Sequence, residues 1–131
     1  MTKVVLDTNI VVSAAITTHG KPATILKLCF TEKLQVYYAT SIINEYIRVL
    51  SYKHLNIPNT MKFDIISAII EAGEFLNPIP STIPLPDETD RVFYDTAKAS
   101  GAILITGNIK HYPNEPFIKT PSDFLEFINY D

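Results

Sequence analysis

The stretch Val4-Val5-Leu6-Asp7-Thr8-Asn9 constrains this chain most. Three apolar residues, two of them β-branched, suit a strand buried on both faces. The run stops on a carboxylate. Thr8 and Asn9 are both good helix caps, and the apolar pattern resumes at once with Ile10, Val11, Val12, Ala14 and Ala15. The sequence therefore reads as strand, tight turn, helix, with Asp7 at the carboxyl end of the first strand. In open α/β sheets that edge is where ligands bind. An acid there suits a metal or a nucleophile role; the alternative is that Asp7 caps the helix that follows.

Composition narrows the class. The 131 residues are 47% hydrophobic, which predicts one globular domain spanning 1–131 with a sizeable core. No apolar run is long enough for a bilayer, and Lys3 precedes only a strand-length apolar run, so a cytoplasmic protein without a signal peptide is expected. The single Cys29 sits in the apolar run Ile25 to Phe30 and reads as a small core residue. One Cys with the scattered His19, His54 and His111 shows no zinc-ligand spacing. The net charge of −3, from 14 acids and 11 bases, does not announce a nucleic-acid binder by bulk electrostatics, although an acidic metal site would absorb several of those acids.

The chain alternates. Pro22 opens a helix through Phe30, Leu34 to Ala39 is a strand, and a helix from about Ile42 to Ser51 follows. On that helix Glu45 falls beside Val49 at the rim of the apolar arc, and the competing reading is a first-turn acid paired with Arg48. Thr60 to Phe75 reads as a packing helix. Four prolines between Asn77 and Pro86 forbid a central strand, though Ile79 and Ile83 are candidates to pair at a sheet edge. A helix begins near Asp87 and stops at Gly101. Its three acids Asp87, Glu88 and Asp90 exceed what a cap needs, and Asp90 leans toward the packed side. Ala102 to Ile105 is the second buried strand, ending in the small polar turn Thr106-Gly107-Asn108. A short strand at 117–119 precedes a last helix opened by Thr120 and Pro121.

Strands alternating with crossover helices predict a three-layer α/β/α fold around a parallel sheet of four or five strands. Asp7 and the Thr106 turn then share one edge, and Glu45 and Asp90 sit at helix starts near it. Three converging carboxylates repel each other, and a hard divalent cation gives them a reason to gather. Such a metal activates water and steadies charge on phosphate, which makes phosphodiester hydrolysis the natural reaction class.

These residues resemble the PIN domains, small metal-dependent ribonucleases, many of them toxins of bacterial toxin–antitoxin pairs. The resemblance runs through nearly the whole chain. It rests on the strand-ending Val5-Leu6-Asp7-Thr8-Asn9, on Glu45, on Asp90 followed seven residues later by Ala97, and on Ile103 to Asn108. It implies Asp7, Glu45 and Asp90 as catalytic, metal-binding acids for Mg²⁺ or Mn²⁺, with Thr8, Asn9 and Thr106 in support. It also implies single-stranded RNA as substrate, an antitoxin protein as partner and homodimers as a common state. Such domains often carry a fourth acid after the late strand. Here the nearest positions are Asn108 and His111, and Asp87 or Glu88 are the acids available to compensate. Two other readings compete. One is a PIN-like fold that, with Asn108 in place of that acid, only binds RNA or a protein partner. A haloacid-dehalogenase-type phosphatase also begins with a strand-end Asp, but needs a second Asp where Asn9 stands.

Overall fold

The computed structural model describes residues 1–130. Its elements run β1 (Thr2–Leu6), α1 (Thr8–Ile16), α2 (Lys21–Phe30), β2 (Leu34–Tyr38), α3 (Thr40–Leu50), α4 (Asn59–Ala72), β3 (Glu74–Phe75), α5 (Arg91–Ser100), β4 (Ile103–Ile105), β5 (Ile118–Lys119) and α6 (Pro121–Phe127). Short 3-10 turns cover Lys53–Leu55, Glu88–Asp90 and Ile109–His111. The five strands are all parallel, in the order β3-β2-β1-β4-β5. This is the three-layer α/β/α architecture expected from the alternation.

β1 is the central strand because it is apolar on both faces. Val4, Val5 and Leu6 have no exposed surface, and neither have Leu104 and Ile105 on β4 beside them. Val4, Val5 and Leu6 pair with Ile103, Leu104 and Ile105. α5 packs across β1, β2 and β4, while α2 and α4 pack on β2. The strand order explains this division. From β1 the chain steps to β2 and β3 on one side, then crosses to β4 on the other. Right-handed crossovers in opposite directions place helices on opposite faces. The reversal lies between β1 and β4, so the carboxyl ends of those two strands form the crevice of a doubly wound sheet.

Two local expectations are corrected. The helix expected over Thr60 to Phe75 ends at Ala72, and Glu74 and Phe75 pair in parallel with Tyr37 and Tyr38. Gly73 permits this turn: a Cβ there would lie 2.7 Å from the Ile69 carbonyl oxygen and 2.9 Å from the Tyr38 ring. The sheet edge is therefore made at Glu74–Phe75, not at Ile79 or Ile83, which belong to no strand. The proline-rich crossover is instead held by polar groups. Arg91 Nη1 donates to the Ser81 carbonyl oxygen at 2.9 Å, and the Ser81 N–H donates to the buried Asp95 Oδ2 at 2.8 Å.

Candidate metal centre at the carboxyl edge of the sheet

Asp7 follows β1 directly and is buried. Its Oδ1 accepts the Thr8 N–H at 2.8 Å, so it does cap α1. Capping accounts for one oxygen only. Oδ2 accepts from the Thr106 hydroxyl at 2.8 Å, the Tyr112 hydroxyl at 3.0 Å and, more weakly, the Asn9 amide at 3.4 Å. The turn after β4 is tied into the same network. Asn108 N–H donates to Thr106 Oγ1 at 2.9 Å, and Gly107 N–H donates to Asn9 Oδ1 at 2.8 Å. Thr106 Oγ1 accepts from the Asn108 N–H and its hydroxyl donates to Asp7 Oδ2, so two strand ends fix one carboxylate.

Asp90 ends the 3-10 turn before α5 and makes no capping hydrogen bond. The cap belongs to Asp87, whose Oδ1 accepts the Thr89 N–H and hydroxyl and whose carboxyl is thereby held below its ordinary range. The Asp90 side chain is 14% exposed, and its Oδ2 is buried with no hydrogen-bond partner. His111 Nδ1 stands 3.6 Å from that oxygen, beyond hydrogen-bonding range. Burial first, then the negative charges of Asp7 and Asp87, push the Asp90 carboxyl up to about 6, against the opposing pull of His111.

Glu45 lies in the second turn of α3, because that helix starts at Thr40 and not at Ile42. Its Oε1 accepts from Arg48 Nη2 and, at 3.1 Å, from Arg48 Nε, the pairing anticipated as the alternative to a site role. The next residue anchors the helix: Tyr46 is fully buried and its hydroxyl donates to the Leu6 carbonyl oxygen, the last of β1.

A cavity of about 340 Å³ brings these groups together. Asp7, Thr8, Asn9, Glu45, Asp87, Asp90, Asn108 and His111 all line it. Thr106 supports it from beneath, fully buried. Glu88 turns away to pair with Arg91. Tyr112 was not foreseen. It lies in an irregular stretch without periodicity, and only its being an aromatic among polar loop residues sets it apart in the sequence. Burial and the charges of Asp7 and Asp90 raise its phenol well above the ordinary value, so it remains a donor.

Among the described residues, no three His, Cys, Asp or Glu side chains stand close enough together to form a ready cage for an ion. The donor set nevertheless fits a hard divalent cation. It is predominantly oxygen, it is anionic, and it holds a buried carboxylate oxygen that no protein donor satisfies.

A PIN domain model matches residues 3–110, and the chain belongs to the PIN domain family, whose members are generally nucleases that use divalent metals. An uncharacterized protein of Methanocaldococcus jannaschii is 37% identical, the match covering 95% of this chain and 90% of that one. Two crystal structures share the fold. One is VapBC2 from Rickettsia felis bound to a DNA fragment from their promoter, with TM-score 0.58, 18% identity and coverage of 90% of this chain and 96% of that one. The other is PAE2754 from Pyrobaculum aerophilum, with TM-score 0.62, 14% identity and coverage of 99% and 91%. No helix among the described residues is long and apolar enough to cross a membrane.

Proposed function

We propose that the protein is a metal-dependent endoribonuclease that hydrolyses phosphodiester bonds of single-stranded RNA. The observation that carries this is Asp90, which lines the same cavity as Asp7 and Glu45 and holds a buried carboxylate oxygen without a donor. Asp7, Glu45 and Asp90 would hold Mg²⁺ or Mn²⁺, with Asn108 and Asp87 as further contributors. When bound, such an ion activates water and offsets charge on the scissile phosphate.

The chain's own residues prepare that site. Thr106, Tyr112 and Asn9 orient Asp7 by donating to Oδ2, which leaves Oδ1, with a single backbone donor, as the oxygen with room for a ligand. Asp90 keeps its proton up to about pH 6 and is mostly ionised at neutral pH. Arg48 pairs with Glu45 and is itself more than half exposed, so the pair can open for a ligand at Glu45. A cytoplasmic toxin with an antitoxin partner, and assembly as a homodimer, belong to the same proposal. The fold shared with VapBC2 supports the antitoxin partner.

The test is incubation of the purified protein with 5′-labelled single-stranded RNA and single-stranded DNA, with Mg²⁺, Mn²⁺ or chelator. RNA cleavage that needs the ion and disappears in both Asp7→Asn and Asp90→Asn is expected. Cleavage that survives either substitution overturns the assignment. The Glu45–Arg48 pairing favours one second reading, a PIN-like module that binds RNA or protein without cutting; retention of RNA with no cleavage under any condition would establish it.

A further inference from the structure

A second cavity, about 440 Å³, opens beside the acidic one between α3, the proline-rich crossover and α5. We propose that it is a nucleobase subsite that selects the nucleotide next to the cleaved bond. The proposal rests on the ribonuclease reading for its link to a cut, and on the cavity's own chemistry for the ligand.

Both cavities lie at the carboxyl edge of the sheet. The acidic one follows β1 and β4, while Ala39 and Asn77, which line the second, come just after β2 and β3. They share two walls. On α3, Asn44 lines the second cavity and the adjacent Glu45 lines the acidic one. In the turn before α5, Glu88 lines the second cavity while its neighbours Asp87, Thr89 and Asp90 line the acidic one. A strand laid along this edge with its phosphate at Asp7 and Asp90 has the second cavity as its neighbouring compartment.

Charge decides which part of the nucleotide enters. The ionisable groups of the second cavity are Glu88, Arg91 and Asp95, a net charge of −1. Arg91 is already engaged by Glu88 and Ser81, so no free cation is offered to a phosphate. A neutral, flat group meets no such penalty. Pro78, Pro80 and Val92 give apolar walls for stacking, and the exposed Asn44 amide and Ser41 hydroxyl supply donors and acceptors for a base edge. Single-stranded RNA is read by bases splayed from the stack and hydrogen-bonded at their edges; here two prolines and a valine stand where aromatic or arginine platforms commonly hold the base faces. The Ser81 clamp by Arg91 and Asp95 fixes the proline wall before any ligand arrives.

The binding test uses the full chain, ¹⁵N-labelled, titrated without metal with each of the four ribonucleoside 5′-monophosphates and with ribose 5-phosphate. At least one monophosphate should saturably shift the Asn44 side-chain amide and the Ser41 and Val92 backbone amides, and ribose 5-phosphate should not. Ser41→Trp, at an exposed position in the first turn of α3, should fill the cavity and abolish the shifts. Asn44→Ala should raise the Kd of the preferred nucleotide roughly tenfold, the lower end for one two-bond base contact. Equal shifts with ribose 5-phosphate, or none with any nucleotide, overturn the subsite. In parallel, cut sites on a randomised single-stranded RNA are mapped. Wild type should show a base preference at one position beside the cut that Ser41→Trp flattens. RNA cleavage with an unaltered preference removes the specificity role and leaves the nuclease standing. Nucleotide binding without any cleavage removes the nuclease reading and leaves a ribonucleotide site.

Discussion

Replacing Asp90 by Asn should stabilise the metal-free protein at neutral pH and leave it nearly unchanged in acid. The folded carboxyl titrates at about 6 against 3.8 for the free group. A folded-state pKa above the unfolded one means that the native chain holds the proton more tightly. The stability this contributes is fully present below pH 3.8 and is lost as pH rises through about 6. At roughly 1.36 kcal/mol per unit the difference has a ceiling near 3 kcal/mol. The side chain keeps 14% of its surface in solvent, and screening there brings the expected gain to about 1–2 kcal/mol. The neutral amide gains nothing at pH 4, where Asp90 is itself protonated, and gains fully at pH 7.5. Urea unfolding in chelator, read as midpoints for both proteins from pH 4 to 7.5, measures the difference. A difference that stays flat with pH, or an Asn variant less stable at pH 7.5, would refute the argument that Asp90 is a strained carboxylate. Asp7 is a poorer place for this experiment, since its oxygens accept four donors that an amide cannot all keep.

Tyr112→Phe removes one of the donors to Asp7 with little change in volume; unfolding free energy should fall by about 1 kcal/mol and RNA cleavage should slow at unchanged RNA affinity, checked by urea denaturation and single-turnover kinetics. Asn108→Asp adds a carboxylate to the acidic cavity, so the Mg²⁺ concentration for half-maximal cleavage should drop, in a metal titration at fixed RNA; an unchanged midpoint assigns that turn to positioning alone. Gly73→Ala forces a methyl group against the Ile69 carbonyl and the Tyr38 ring, and thermal or urea unfolding should show a loss of about 1–3 kcal/mol.

The layers and the sheet were legible because β1 and β4 are short apolar runs that no amphipathic helix would present, and because crossover rules leave few arrangements for such an alternation. The edge on which Asp7, Glu45 and Asp90 would lie followed from the same rules. What stayed hidden was set by contacts distant in sequence. The break between α4 and β3 depends on Gly73 meeting a tyrosine thirty-five positions earlier, and no local propensity registers that. Asp95 read as one more helix residue, yet it is buried to hold Ser81. Tyr112 reaches Asp7 from a loop whose course nothing in its own sequence dictates. The Glu45–Arg48 pair was visible as an i,i+3 spacing, and spacing alone could not say which partner would own the carboxylate.

The network beneath Asp7 also orders events in time. Its donors come from positions 8 and 9 and from 106 and 112, so the carboxylate is only half gripped until β4 has docked beside β1. A nascent chain that has already released Asp7, Glu45 and Asp90 from the ribosome still lacks the segment that supplies half of the Asp7 donors. Docking β4 beside β1 and completing the grip on Asp7 are therefore coupled, and a chain cut short before Thr106 carries Asp7 without its full set of donors.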